Sequence, residues 1–420
     1  MSDSYVKIRL VVLSFLQFAV WGSYLTSMGR YLGGYGLGAE IGWFYSVQGL
    51  VSIFMPAIIG VVADRWVPAQ RLLSFCHIVA ALFMAITGYV AFKMDYNVAF
   101  NDIFWTYTVS VAFYMPTLAL SNSVSYTALE KAGLDTVKSF PFIRVFGTVG
   151  FIISMLIVDY MGFQNNCVQF FVSATWGVLL ALYSLSLPHC PVNGAGGKKS
   201  LFSALGLEAF RLFAKPKMAV FFIFSMLLGV ALQISNGYAN LYINGFGDIP
   251  QYAGAYVVEH TNVLISLSQV SETLCILLIP YFLGRFGIKR VMLIAMIAWV
   301  LRFLFLGVGN PGMPGVMFFV MSMLVYGVAF DFFNISGSLF VDNEVPEGMR
   351  SGAQGLFMLM TNGLGASVGV MVAQGIVNYF TQNQTNFDGW SIVWCIFAGY
   401  ALFIAVLFAF VFKEKRIRNG

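Results

Sequence analysis

A chain of 420 residues in which 59% are hydrophobic and only 10% are charged does not have the composition of a soluble domain, where about a quarter of the residues are charged. The net charge of +5 is scattered over short segments and forms no basic patch with interleaved aromatic residues, which argues against nucleic-acid binding. The five cysteines and three histidines show no metal-ligand spacing, so no metal site is expected. Composition therefore indicates a multi-pass membrane protein.

Apolar runs of about 20 residues, the length that crosses roughly 30 Å of hydrocarbon, recur along the whole chain. The first run follows Lys7 and Arg9 as in a signal peptide, but it is long and lacks a small-residue cleavage site, so we interpret it as a membrane helix. In all we predict twelve transmembrane helices, at 8–30, 40–63, 71–93, 103–127, 140–161, 166–187, 217–241, 257–283, 289–308, 314–340, 351–378 and 390–412.

The distribution of Lys and Arg predicts the orientation of these helices. If the amino terminus is cytoplasmic, all of the 23 Lys and Arg residues lie on the cytoplasmic side except Arg30, Lys93, Arg144 and Arg302. Short loops rich in Lys and Arg stay on the cytoplasmic side of a membrane. We therefore predict that both termini are cytoplasmic.

The chain divides near its middle. A Gly-rich basic segment, Val192–Ser200, follows the sixth predicted helix, and an amphipathic stretch that we expect along the cytoplasmic face continues to Lys217. Six predicted helices stand on each side of this segment. The expected organisation is a six-helix bundle at 1–190, a cytoplasmic linker at 191–216 and a second six-helix bundle at 217–420, which implies a duplicated unit.

The ends of the second and eighth predicted helices carry a related pattern. Gly60-x-x-x-Asp64-Arg65 ends the second helix, and Gly284-Arg285 ends the eighth, with Gly284 where the acid is expected. This pattern resembles the cytoplasmic loop signature of the major facilitator superfamily. The resemblance implies an all-α fold and a conformational latch between the halves made by Gly60, Asp64, Arg65 and Arg285, with the glycine at a close helix crossing. An ordinary charged turn is the alternative.

Glu272 lies well inside the eighth predicted helix, with Gln269 one turn earlier on the same face. An acid at the centre of a membrane helix costs about 2.5 to 3.5 kcal/mol and usually faces a bundle interior or a water-filled cavity. Glu272 is therefore a candidate functional residue. The alternative is a carboxyl group that is protonated, or paired with a neighbouring helix, for structural reasons alone.

The fifth predicted helix places Arg144 and Thr148 four residues apart, with Gly147 and Gly150 between aromatic residues. The glycines would let another backbone approach. Arg144 stands near the predicted cytoplasmic end, so it could bind a ligand or only anchor the helix end at the membrane surface.

The seventh and tenth predicted helices add further polar residues. Gln233 and Asn236 place two carboxamides on one helix face, and Tyr326 and Phe330 precede a second intramembrane acid, Asp331. Carboxamides can hold helices together, and aromatic residues are common in a core, but the set also suits a neutral ligand rich in hydroxyls and ring nitrogens. Aromatic planes would stack on a flat ring.

Motifs in both halves narrow the resemblance to the nucleoside:proton symporter family of the major facilitator superfamily. The segments that carry it are Leu13–Tyr24, Phe113–Thr117, Ile143–Phe151, Phe222–Gly229, Ser268–Thr273, Ala329–Ser338 and Met360–Gly363. The resemblance implies a nucleoside substrate taken up with protons across the bacterial inner membrane. It implies that the substrate site is lined by Arg144, Thr148, Phe151, Gln233, Asn236, Gln269, Glu272, Tyr326 and Phe330, and that Asp331 takes part in proton coupling.

We therefore predict a secondary active transporter, not an enzyme, that binds a nucleoside near the midplane between the halves and works by alternating access. Protonation of Asp331 or Glu272 would remove a buried charge and favour the conformational change. No Walker loop is present and no cofactor is expected, since the proton gradient supplies the energy. The expected partners are nucleoside, protons and the lipid bilayer, with no nucleic acid, and the expected state is a monomer.

Two alternatives remain from the sequence. A carrier of the same fold for another neutral hydroxylated solute, such as a sugar, would keep the amides without needing the stacking aromatics. A membrane enzyme or receptor is the other alternative, although the loops hold few of the His, Asp or Cys clusters that an enzyme would need.

Overall fold

The structure is a computed structural model that describes residues 3–190, 207–346, 349–384 and 386–413, leaving out the side chains of residues 3, 64, 137, 207, 208 and 351. Within these ranges it contains twelve helices long and apolar enough to cross a membrane. They correspond one to one with the twelve predicted helices, and we number them α1 to α12. The contacts between Cα atoms divide the chain into two units, Met1–Leu205 and Gly206–Gly420.

The first unit holds six of the long helices. They are α1 (Asp3–Gly22), α2 (Ile41–Arg65), α3 (Ala69–Met94), α4 (Phe100–Lys131), α5 (Thr136–Tyr160) and α6 (Val168–Ser186).

The second unit opens with a short 3₁₀ helix, Leu207–Ala214, and then holds the other six. They are α7 (Pro216–Gly245), α8 (Thr261–Phe286), α9 (Ile288–Val308), α10 (Gly315–Glu344), α11 and α12 (Gly389–Val411). Helix α11 has three parts, which are Arg350–Met358, a π-helical turn at Leu359–Gly365, and Ala366–Phe380.

The first predicted helix, 8–30, is wrong at its end. Helix α1 stops at Gly22, and after a series of turns a separate short helix, Met28–Gly34, begins. The Ser23 hydroxyl donates to the Ala19 carbonyl at 2.9 Å and so competes with the helical hydrogen bond at that position. The Tyr24 N–H then bonds to the Trp21 carbonyl, only three residues back.

The two units repeat one packing plan. In the first, α1 packs on α5, α3 packs on both α4 and α6, and α2 packs on α4. In the second, α7 packs on α11, α9 packs on both α10 and α12, and α8 packs on α10. Each pair recurs six helices later, which is the packing expected of the duplicated unit that the sequence implied.

Glycines set the closest of these contacts. A Cβ at Gly22 of α1 would lie 2.3 Å from the Phe151 carbonyl oxygen, and one at Gly150 of α5 would lie 2.1 Å from the Phe15 carbonyl oxygen. The pair α7–α11 repeats this, since a Cβ at Gly229 would lie 2.0 Å from the Thr361 carbonyl oxygen. These backbones touch because no side chain separates them, as in the small-residue contacts of membrane helices.

Candidate functional site

In the second unit, α8 and α10 meet at a backbone contact that brings their polar residues together. A Cβ at Gly327 would lie 2.5 Å from the Ser271 carbonyl oxygen, and the Ser271 hydroxyl donates to the Leu324 carbonyl. Glu272 follows Ser271 directly, and Tyr326 precedes Gly327. The contact therefore places the Glu272 carboxyl group near the Tyr326 hydroxyl, close enough for an electrostatic interaction.

The Tyr326 hydroxyl is the point where the predicted polar residues of α8 and α10 converge. Glu272 and Asp331 interact with it electrostatically, and the Gln269 side chain is a hydrogen-bond partner. Asp331 is 6% exposed and also interacts with Cys275 of α8, while Glu272 is partly buried. Both intramembrane acids therefore belong to the same helix pair.

Aromatic rings form a flat surface beside these acids. The rings of Tyr326 and Phe330 are stacked, with centroids 5.8 Å apart and planes 8° from parallel. Trp299 of α9 meets the Tyr326 ring edge-on at 6.0 Å. Stacked aromatic faces of this kind can accept a planar ring.

Arg302 of α9 is a member of this cluster to which the sequence assigned no role. It is 3% exposed, and its guanidinium carbon lies 4.6 Å from the centroid of the Tyr326 ring. The guanidinium donates to the Ser235 hydroxyl of α7 at 2.6 and 2.9 Å and to the Ser322 carbonyl at 2.8 Å. The buried cation is thus held by a ring face and by polar oxygens, and it ties α7 to α10. A single Arg inside a span carries no spacing pattern, so the sequence could not identify this role.

Helix α7 supplies the two predicted carboxamides. Gln233 is 8% exposed, and its Oε1 has no hydrogen-bond partner within the described part of the chain. Asn236, one turn later, is partly buried. Ser235 lies between them in the chain and accepts a hydrogen bond from Arg302. Arg302 therefore connects the helix that carries both amides to the Tyr326 ring.

The first unit holds the remaining three predicted substrate residues, all on α5. The Arg144 guanidinium carbon lies 3.9 Å from the centroid of the Phe18 ring of α1, a cation–π contact. A Cβ at Gly147 would lie 2.9 Å from Arg144 Nη1, so this glycine also leaves room for the side chain. Thr148 is partly buried, and the Phe151 ring meets Trp21 edge-on at 6.5 Å. The Arg144 guanidinium is therefore held against α1.

A buried polar network stabilises α1 next to this cluster, and no sequence pattern indicated it. Gln17 donates from Nε2 to the Thr117 hydroxyl at 2.8 Å, and the His77 Nε2 lies 3.0 Å from the Gln17 Oε1. Since that amide oxygen only accepts, the His77 Nε2 is the donor. The Tyr114 hydroxyl donates to the Gln17 carbonyl at 2.8 Å, which links α3 and α4 to α1.

The residues predicted to form the latch lie in helix ends rather than loops. Gly60 and Arg65 belong to the last turns of α2, and Arg285 belongs to the last turn of α8, where its Nη1 donates to the Tyr281 hydroxyl at 2.8 Å. A Cβ at Gly60 would meet nothing within 4 Å in the described part of the chain, and the latch between the halves stays a prediction. The Asp64 side chain and residues 191–206 of the predicted linker lie outside the described residues.

Comparison with known proteins decides the family. The model of the family described as "Nucleoside H+ symporter" matches residues 4–417. The chain belongs to this family.

Two relatives in Escherichia coli strain K12 resemble this symporter over nearly its whole length. The xanthosine permease is 46% identical over 97% of this chain and 96% of its own length. The nucleoside permease NupG is 44% identical over 98% of this chain and 97% of its own length. A crystal structure of a mutant of nucleoside transporter NupG matches with a TM-score of 0.92 at 43% identity, covering 97% of this chain and 100% of that chain.

These comparisons confirm the family, the twelve-helix major facilitator fold and a transporter rather than an enzyme. The symporter is a multi-pass protein of the bacterial inner membrane. The roles of the individual site residues, the latch and the orientation of the termini stay predictions.

Proposed function

We propose that this symporter imports nucleosides together with protons, that Arg144, Thr148, Phe151, Gln233, Asn236, Gln269, Glu272, Tyr326 and Phe330 bind the nucleoside, and that Asp331 and Glu272 carry the proton. The observation that supports this most directly is the stacked pair Tyr326–Phe330 beside two intramembrane acids. A planar base needs the rings, and proton coupling needs a buried carboxyl group.

The ribose fits the polar side of the cluster. Ribose hydroxyls both donate and accept, and the carboxyl and amide groups of Glu272, Gln269 and Gln233 can do the same between them. The Oε1 of Gln233, without a hydrogen-bond partner in the described structure, would accept a hydrogen bond from a ribose hydroxyl. Leaving such a buried acceptor unmet costs about 1 to 3 kcal/mol, so a ligand that meets it binds more tightly.

Arg144 would contact the base. Its guanidinium is a planar set of donors, which suits the carbonyl oxygens and ring nitrogens of a nucleobase. The contact with Phe18 fixes the plane of the guanidinium, so less side-chain entropy is lost when a base is bound.

Protonation of Asp331 or Glu272 would couple transport to the gradient. A neutral carboxyl group is far less costly in a closed, low-dielectric site than a carboxylate, so the proton and the nucleoside together would permit the conformational change. Moving one proton down 100 mV supplies about 2.3 kcal/mol, enough for roughly fiftyfold accumulation of a neutral solute. No cofactor is needed for this cycle, and we propose that a monomer with both termini in the cytoplasm carries it out.

Substrate-dependent proton flux in proteoliposomes tests this function. Purified protein is reconstituted with a pH-sensitive dye inside the vesicles, and nucleosides, free bases and sugars are added in turn. We expect nucleosides to cause acidification of the lumen and labelled nucleoside to accumulate only when a proton gradient is imposed. Proton flux with sugars but not with nucleosides would favour the sugar carrier, and binding without uptake would favour a receptor.

A further inference from the structure

The second unit contains a cavity that includes one predicted substrate residue and two asparagines with no role so far. Phe330, Asn334 and Asn362 line it together with Trp299. Phe330 and Asn334 lie one turn apart on α10, so they share a helix face. A base stacked on Phe330 would therefore present an edge toward Asn334.

The other asparagine is placed by an unusual turn of α11. Asn362 lies in the π-helical segment Leu359–Gly365, and π-helical turns inside α-helices are often found at functional sites. One glycine on α7 and one at the end of the turn let the two backbones approach closely. A Cβ at Gly229 would lie 2.0 Å from the Thr361 carbonyl oxygen, and one at Gly365 would lie 2.2 Å from the Met226 carbonyl oxygen. The backbone that carries Asn362 is therefore packed tightly against α7, and Asn362 lines the cavity.

The hydrogen bonds of the two amides determine which of their atoms remain available. The Asn334 Nδ2 donates to the Phe330 carbonyl at 3.0 Å, and the Asn362 Nδ2 donates to the Met358 sulfur at 3.5 Å. Both acceptors belong to the asparagines' own helices. In the described structure neither Oδ1 has a hydrogen-bond partner, so each oxygen can accept a hydrogen bond from a ligand, while each Nδ2 keeps a second N–H.

We propose that Asn334 and Asn362 form a base-edge subsite that accepts hydrogen bonds from N–H groups of the nucleobase and selects bases that carry them. The inference rests on the proposed nucleoside transport and adds the basis of its selectivity. The N3–H of uridine and the exocyclic amines of cytidine and adenosine supply such donors.

Pairs of nucleosides that differ by one donor without added bulk test the subsite. Adenosine is compared with purine riboside, and cytidine with pyrimidin-2-one riboside; in each pair the second nucleoside lacks only the exocyclic amine. In the wild type we expect the KM for uptake of the donor-bearing nucleoside to be lower by on the order of tenfold, the effect of one hydrogen bond. In Asn334→Ala or Asn362→Ala this ratio should fall toward one.

A matched control separates recognition from folding. Asn244→Ala removes a partly buried amide near the end of α7, away from the cavity lining, and should keep the wild-type ratio. A merely structural effect in the Asn334 or Asn362 variants would raise the KM for both members of a pair equally.

Two results would overturn the subsite while leaving nucleoside transport intact. One is a wild type that transports both members of each pair with the same KM, a result that needs no variant to fold. The other is an unchanged ratio in both asparagine variants. Absence of uptake of every nucleoside by the wild type would instead contradict the proposed function itself.

Discussion

Tyr326 is the residue on which the second unit's cluster depends. Arg302 lies over its ring, and Phe330 is stacked beside it. Gln269 and Glu272 of α8 interact with its hydroxyl. The ring is thus fixed in position by groups from three helices before any ligand arrives. A pre-positioned ring binds more tightly because little conformational freedom is left to lose.

Removal of the Glu272 carboxyl group should weaken nucleoside binding. If the carboxyl group accepts ribose hydroxyls, Glu272→Ala should cost about 1.5 to 3 kcal/mol of binding free energy, the scale of a hydrogen bond to a charged group. Isothermal titration calorimetry on purified protein measures this. Glu130→Ala, at the exposed end of α4, is the control and should bind as the wild type does. Unchanged affinity in a well-folded Glu272→Ala protein would exclude Glu272 from the binding site.

Replacement of Arg144 by lysine separates a ligand from an anchor. Lysine keeps the charge and can reach the membrane surface, but it lacks the planar set of donors and the stacking on Phe18. Arg144→Lys should therefore lose most nucleoside uptake at normal levels of protein in the membrane. The control Arg290→Lys, at an exposed position near the start of α9, should retain uptake. Normal uptake by Arg144→Lys would mean that the residue only anchors α5.

At the scale of helices, glycine contacts bring together the apolar helices that carry the predicted polar site residues. Helices α7 and α11 approach until backbone touches backbone at Gly229 and Thr361, and α8 and α10 do so at Ser271 and Gly327. These contacts occur between the helices that carry the predicted site residues, so a change of spacing would move the side chains that line the cavity.

A methyl group at the α7–α11 contact should disrupt it. Gly229→Ala would place a Cβ 2.0 Å from the Thr361 carbonyl oxygen, which the backbones can only relieve by separating. Overpacking of this kind costs about 1 to 3 kcal/mol, so we expect a lower melting temperature in detergent and reduced uptake. The matched control is Gly375→Ala on the partner helix α11, where a Cβ meets nothing within 4 Å in the described structure and alanine favours the helix. Equal stability of the two variants would contradict the close contact.

Helix boundaries show how far local sequence carries the prediction. Hydropathy predicted all twelve long helices, because the span of hydrocarbon fixes their length. It did not predict the end of α1 at Gly22, where the Ser23 hydroxyl competes for a backbone hydrogen bond. It also did not predict the π-helical turn of α11, which lies against carbonyl oxygens and backbone of α7.

For the whole molecule, the repeat of the packing plan was predictable and the buried network was not. The equal number of helices on each side of the linker indicated duplication, and the pairs of α1–α6 recur in α7–α12. Glu272 and Asp331 could be identified because an acid in an apolar span is costly. Arg302 and Asn362 could not, because their significance comes from the residues that the fold places around them.

We propose that a buried acid of the second unit couples nucleoside movement to the proton gradient, and Asp331→Asn tests this coupling most directly. Asparagine resembles the neutral carboxyl group permanently, and exchange of nucleoside does not require the empty, deprotonated carrier to return. Binding is measured by calorimetry, and counterflow and uptake driven by a pH gradient are measured in the same proteoliposomes. We predict that Asp331→Asn binds nucleoside and supports counterflow but does not accumulate nucleoside against its gradient. Full gradient-driven accumulation by Asp331→Asn would contradict the role of Asp331 in coupling.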